Sequence, residues 1–214
     1  MPPEITALRL QKKNQQRVNV YLDSKYAFAL QSSVAASLKV GQTLSPEEVD
    51  QLQRRDAAEV AYDRALNYLS YRPRSRAEIE AYLKRRRVPS ITIQTVTDRL
   101  VGAGLLDDEA FAQYWVENRE HFRPRGIRSL RFELRQKGVP DAVIDKAITN
   151  IDETESAYRA GRERARRLRR LDYQQFRRRL GGFLQRRGFG YDVVKVIVDR
   201  LWRELQTSAE EEAF

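Results

Sequence analysis

A mainly α-helical protein is predicted, with three tandem three-helix repeats forming an elongated curved array behind a small antiparallel β-hairpin or sheet. Three observations predict it. From about residue 57 onward, apolar residues keep one register at a period near 50 residues. Within each period they recur at the three- and four-residue spacing of a helix face. The first 30 residues instead alternate apolar and polar positions, the period of a strand.

At the N-terminus, Ile5, Ala7 and Leu10 open a strand, and the polar run Lys12-Lys13-Asn14-Gln15-Gln16 turns it. Val18, Val20 and Leu22 alternate in a second strand. Asp23-Ser24 is a short turn signal, and Tyr26, Phe28 and Leu30 carry a third alternation. Gly41 breaks the chain before Ser45-Pro46-Glu47-Glu48, which has the form of a helix start: Ser45 as N-cap, Pro46 at the first position and Glu48 closing a capping box.

The repeat becomes visible by stepping along the chain. A step of 51 residues carries Arg72-Pro73-Arg74-Ser75 to Arg123-Pro124-Arg125-Gly126, Ile79 to Leu130, Leu83 to Leu134 and Val88-Pro89 to Val139-Pro140. A further step of 50 carries Leu130 to Leu180, Leu134 to Leu184, Gly138 to Gly188 and Ile144 to Val194. A period of this length marks stacked units, none of which can bury its apolar face alone. In each, a middle helix shows an i, i+4 apolar pair: Ile79/Leu83, Leu130/Leu134, Leu180/Leu184. Gly138 and Gly188 can end two of these helices in the left-handed conformation, whereas the first unit has Arg87 there. Third helices carry Ile93-Val96-Leu100, Ile144-Ile148-Ile151 and Val194-Ile197-Leu201. First helices are expected over 57–70, 109–119 and 153–170, with Asp107 or Asp108 capping the second and Asp152 with Glu155 the third. The resulting division is 1–50 for the β extension and the start of a linking helix, 51–106, 107–152 and 153–206 for the repeats, and 207–214 for an acidic tail containing Glu210-Glu211-Glu212, expected to fray.

Composition narrows the function. The 214 residues hold 40 Lys+Arg against 30 Asp+Glu, a net charge of +10, and only 8 of the cations are Lys. Arg forks onto phosphate and carboxylate oxygens, so the balance favours an anionic partner. The placement is more telling than the total. Residues 72–88 carry Arg72, Arg74, Arg76, Lys84, Arg85, Arg86 and Arg87 against two acids. Residues 123–138 carry Arg123, Arg125, Arg128, Arg131, Arg135 and Lys137 against one, and 173–188 carry Arg177, Arg178, Arg179, Arg186 and Arg187 against none. Each window has the same excess, +5, on the equivalent helix, so the rest of the chain is net acidic. Aligned by stacking, these helices would present a basic stripe to a polyanion, with binding that weakens steeply in salt. A second basic run, 159–172, places Arg162 and Arg166 at helical spacing.

Catalytic readings find little support. No Cys and a single His, His121, leave no disulfide framework, Cys/His zinc site or thiol nucleophile. Asp107-Asp108-Glu109 is the one acidic cluster resembling a metal site, and helix capping explains it more simply. Gly102-Ala103-Gly104 lacks the length and the following Lys of a phosphate loop. Phe111, Tyr114, Trp115 and Phe122 have the chemistry to stack on bases, but their helical spacing assigns most of them to the core. With no apolar run near 18 residues and no signal-peptide pattern, a soluble cytoplasmic protein is expected.

The segment Tyr71-Arg72-Pro73-Arg74-Ser75, then Glu78-Ile79 and Tyr82-Leu83, followed by Gly104-Leu105-Leu106-Asp107-Asp108 and Phe111-Ala112, closely resembles the RecX family of recombination regulatory proteins. The resemblance implies a non-enzymatic modulator of the RecA recombinase, without cofactor or metal. Its repeats would lie in the groove of, or cap, the RecA filament on single-stranded DNA and inhibit ATP hydrolysis, filament growth and strand exchange. It further implies direct binding to single-stranded and also double-stranded DNA, no membrane partner and a monomeric state. The residues expected to make contact are Arg72, Arg74, Arg76, Arg85, Arg86, Arg123, Arg125, Arg128, Arg131, Arg135, Lys137, Arg162, Arg166, Arg177, Arg178, Arg186 and Arg187. Two other classes fit the composition: a sequence-independent DNA or RNA binder with no recombinase partner, and a scaffold that recognises an acidic protein surface.

Overall fold

The computed structural model describes residues 2–211, with side chains through Thr207. Of the acidic tail expected to fray over 207–214, residues 207–211 are helical and residues 212–214 lie outside the described residues. The chain divides into two compact units, one of residues 1–72 and 79–106, the other of residues 73–78 and 107–214.

In the first unit, β1 (Ile5–Leu10), β2 (Arg17–Leu22) and β3 (Lys25–Gln31) form an antiparallel meander in the order β1-β2-β3. Asp23 and Ser24 both take positive φ, 46° and 64°, which gives the β2–β3 turn the twist a tight hairpin needs. A register shift between Ile5 and Ala7 puts Leu8 with Ile5 on the core side, so the expected alternation through Ala7 and Leu10 is broken and Leu10 is exposed. Val20, Phe28 and Leu30 are buried as expected, together with Val34 and Ala35 of the short helix α1 (Ser32–Ala35), while Tyr26 is exposed.

Helix α2 (Pro46–Leu69) starts with the expected box: Glu48 N donates to Ser45 Oγ at 3.2 Å, and Ser45 N to Glu48 Oε2 at 2.7 Å. It then runs unbroken through the 50/51 border and the start expected at residue 57. No glycine or proline follows Pro46 until Pro73, so nothing in the segment stops a helix. Leu52 joins the sheet's core, and Ala61 and Ala65 join the core of the first repeat. Asp56 ties helix to sheet: both carboxylate oxygens take Arg17 Nη1, at 3.1 and 3.0 Å, and Oδ1 also takes Gln31 N at 2.5 Å.

Each repeat then has its middle and third helices: α3 (Arg76–Arg85) and α4 (Ser90–Gly102), α6 (Ile127–Gln136) and α7 (Asp141–Ile148), and α9 (Tyr173–Arg186) and α10 (Tyr191–Glu211). The first helices of the second and third repeats are α5 (Asp108–Phe122) and α8 (Glu153–Arg167). The predicted i, i+4 pairs sit at the centre of their clusters, all six residues at 0% exposure. Two of these helices stop earlier than expected, while α5 runs to Phe122, three residues past its expected end. Helix α7 stops at Ile148, where Thr149 Oγ1 donates back to the Asp145 carbonyl at 2.6 Å, and Ile151 packs on the core from beyond the helix. Helix α8 stops at Arg167, three residues early, because Leu168 turns into the core.

The middle helices end alike. Val88 N, Val139 N and Phe189 N donate to the carbonyls of Leu83, Leu134 and Leu184, the long-range bond of a left-handed helix stop. Arg87, Gly138 and Gly188 take φ of 60°, 72° and 87° at that stop. The arginine is tolerated because its side chain is exposed. The glycines are enforced by packing within the second unit. A Cβ on Gly138 would come within 2.3 Å of Ala77 Cβ, and one on Gly188 within 2.2 Å of Ser129 Oγ.

Candidate nucleic-acid interface

In the second unit, consecutive repeats join by one scheme, which places their arginines. The turn that ends a middle helix seats on the start of the preceding one. Ser75 Oγ donates to the Lys137 carbonyl at 2.5 Å, and one repeat later Gly126 N donates to the Arg187 carbonyl at 3.0 Å. Glycine is needed at 126, since a Cβ there would meet the Gly188 carbonyl oxygen at 2.2 Å. The neighbouring acids act as caps. Asp107 takes Glu109 N and Ala110 N of its own helix, whereas Asp108 takes Arg76 N at 2.8 Å. Among the described residues, no group of three or more His, Asp or Glu has the arrangement to hold a metal.

The three basic windows do not stand equally. Around the start of α3, Arg72, Arg74 and Arg76 are half-buried, and Glu78 lies 4.0 Å from Arg74 and 2.9 Å from Lys137. At the end of α3, Arg85 is exposed, and Arg86 covers the Tyr82 ring at 3.7 Å, itself stacked on Tyr68. Much of the second window is neutralised inside the chain. Arg131 pairs with Asp145 at 2.5 Å, Arg135 with Asp141 at 2.7 Å, and Arg125 lies 3.6 Å from Glu133. The Arg135 hydrogen bond holds the Asp141 carboxyl below its ordinary range. Such exposed pairs are weak and leave the guanidinium open to exchange for a phosphate.

The third window has no such partners. Among the described residues, Arg177, Arg178 and Arg186 on α9 make no ion pair and are exposed, as are Arg128 on α6 and Arg162 on α8; Arg166 pairs only with its neighbour Glu163, at 3.0 Å. Arg177 and Arg178 border a groove of about 270 Å³ between α9 and α10, with Gly181, Gly182, Lys195 and one acid, Asp199, also on its wall. The uncompensated charge of the second unit is therefore concentrated on its last repeat.

Arg187 meets the Arg123-Pro124-Arg125 segment where the second and third repeats join. Arg187 Nη1 donates to the Pro124 carbonyl at 3.3 Å, between Arg123 and Arg125. Burial first, and then the charges of Arg125 and Arg123, push its pKa down. Sequence reasoning named these residues without bringing them together; the signal available was the register that aligns Arg187 with Lys137 and Gly126 with Ser75. Among the aromatic candidates, Phe111 is buried and Trp115 is half-buried with its N–H on Glu133. Phe122, beside Arg123, is 71% exposed and among the described residues meets one aromatic ring, that of His121, in a T-shaped contact at 4.5 Å.

Comparison with known proteins covers nearly the whole chain. Residues 3–45 match the family model of the regulatory protein RecX N-terminal domain. Residues 61–100, 107–148 and 151–198 match the first, second and third RecX three-helix domains. Regulatory protein RecX of Bacillus subtilis is 33% identical over 99% of this chain and 82% of its own length, and that of Bacillus licheniformis is 31% identical over the same shares. A crystal structure of regulatory protein RecX superposes with a TM-score of 0.75 at 30% identity, covering 92% of this chain and 99% of the other. RecX from Lactobacillus salivarius gives 0.62 at 25% identity over 69% of this chain and 97% of the other.

Proposed function

The chain belongs to the RecX family of regulatory proteins, and from that premise we propose that it regulates homologous recombination by binding the RecA filament on single-stranded DNA. The basic faces of its repeats meet DNA phosphates and acidic recombinase surface. Contacts that span neighbouring recombinase protomers oppose the rearrangements of growth and turnover, so ATP hydrolysis and strand exchange slow. The protein acts as a monomer in the cytoplasm and carries out no chemistry of its own.

The observation that carries this reading is the recurrence of the same cation excess on the equivalent helix and its flanking turns in three repeats, with Arg177, Arg178 and Arg186 of the third exposed and without carboxylate partners among the described residues. A solvated helix surface is better stabilised by mixed signs than by one. The second reading, binding to nucleic acid with no recombinase partner, draws on Phe122, an exposed ring next to an arginine.

Titrating the protein into RecA filaments and into naked single-stranded DNA, with ATPase activity as the readout, tests the proposal. Inhibition with tighter binding to the filament than to naked strand is expected. Equal affinity for both, with ATPase unaffected, would establish the second reading instead.

A further inference from the structure

The two repeat junctions of the second unit are built alike but charged differently. At the first, Glu78 reaches both Arg74 and Lys137, at 4.0 and 2.9 Å, so a carboxylate occupies the space between two cations. One repeat later the matching cations are Arg125 and Arg187, and the residue matching Glu78 is Ser129. Ser129 lies against the Gly188 turn and brings no charge. Among the described residues, neither Arg123 nor Arg187 has a carboxylate at ion-pair distance. Arg125 Nε is buried without a hydrogen bond. Its nearest acid, Glu133, lies 3.6 Å away and already takes Arg119 at 2.6 Å and the Trp115 N–H at 2.9 Å.

We propose that Arg123, Arg125 and Arg187 form a subsite for one backbone phosphate of a nucleic acid, at the junction where the chain omits the carboxylate that fills the matching place one repeat earlier. This rests on the reading that the basic repeats bind nucleic acid. Like charges gathered on a rigid turn repel one another, and an anion bridging them relieves that repulsion. A phosphate presents several acceptor oxygens to forked donors, as a single carboxylate does at the first junction. The exposed Phe122 ring is the adjacent residue, so a base next to the held phosphate has a platform within reach.

The carboxylate swap makes the test two-sided. Binding of a fluorescein-labelled oligothymidylate is measured across salt concentrations for the parent chain, Arg187→Gln, Ser129→Glu and Glu78→Ser. Arg187→Gln and Ser129→Glu, which remove a donor and restore the internal anion, are expected to weaken binding roughly tenfold and to reduce the slope of log K against log salt by about 0.7 to 1. Glu78→Ser opens the first junction and is expected to strengthen binding and steepen the slope, an outcome that misfolding does not produce. Circular dichroism confirms the fold of each variant, and the Arg125 Nε–H resonance of the parent chain is expected to shift on adding oligothymidylate. If the oligonucleotide binds but Arg187→Gln and Glu78→Ser leave affinity and slope unchanged, the subsite is overturned while the broader reading stands. If the parent chain binds neither oligonucleotide nor RecA filament, both fall.

Discussion

Gly138 lies against Ala77 so closely that a Cβ at position 138 would come within 2.3 Å of the alanine's own. The contact joins the end of α6 to the residues that open α3, and together with the matching approach of Gly188 to Ser129 it explains why two of three equivalent helix stops carry glycine. At Arg87, which takes the same left-handed turn, the side chain is exposed and the position tolerates a Cβ.

Gly138→Ala is therefore expected to cost about 2–4 kcal/mol, combining the strain of positive φ with overpacking. Arg87→Gly is expected to change stability by less than about 1 kcal/mol, since relief of that strain offsets the added freedom of the unfolded chain. Urea denaturation of both variants measures the difference. A loss at Gly138→Ala of no more than about 1 kcal/mol, the strain of positive φ alone, would show that conformation, not the Ala77 contact, selects the residue.

Asp56 is a polar tie between the sheet and α2, taking Arg17 through both oxygens and the Gln31 N–H. With its side chain only 13% exposed, Asp56→Ala leaves a half-buried guanidinium and a backbone donor unsatisfied. The expected loss is about 2–4 kcal/mol, with faster hydrogen exchange at Gln31 and along β3. Exchange that rises equally in α9 would show that the loss is not confined to this junction.

The Asp141 carboxyl is held below its ordinary pKa, first by the Arg135 hydrogen bond. A depressed folded-state pKa means that the pair's contribution is present above the unfolded-state value of about 3.9 and is lost as pH falls through the folded one. Carboxyl NMR titration is expected to place the Asp141 midpoint below that value in the parent chain and to raise it in Arg135→Ala. A midpoint unmoved by the substitution would leave the ion pair without a role in solution.

Because Arg131 and Arg135 already face Asp145 and Asp141, while Arg177 and Arg178 face no acid at ion-pair distance among the described residues, the two windows should respond unequally to charge reversal. The double variant Arg177→Glu/Arg178→Glu is expected to weaken filament binding at physiological salt by at least tenfold more than Arg131→Glu/Arg135→Glu. Fluorescence anisotropy on labelled filaments makes the comparison. The reverse order would place the interface on the second repeat.

Much of the architecture could be read from residue spacing. The i, i+4 pairs announce the core of each repeat because a helix that buries one stripe must repeat apolar residues at that interval. The Ser45 box and the Asp107 and Asp152 caps could be read for a similar reason, since their bonds close within three residues. What depended on non-local competition was misjudged. The strand alternation fails at Ala7 because a register shift intervenes, and the continuity of α2 is supported by apolar residues drawn into two separate cores.

For the candidate interface, the sequence by itself determined how much charge each repeat carries and around which helix, because composition and helical period are properties of local order. Only the tertiary structure decided which charges remain uncompensated. Glu78 with Lys137, Glu133 with Arg125 and Arg187 with Pro124 meet through space across eight to more than sixty residues of chain. Pairing energy depends on separations of a few ångströms, and those separations are set by how one repeat seats on the next.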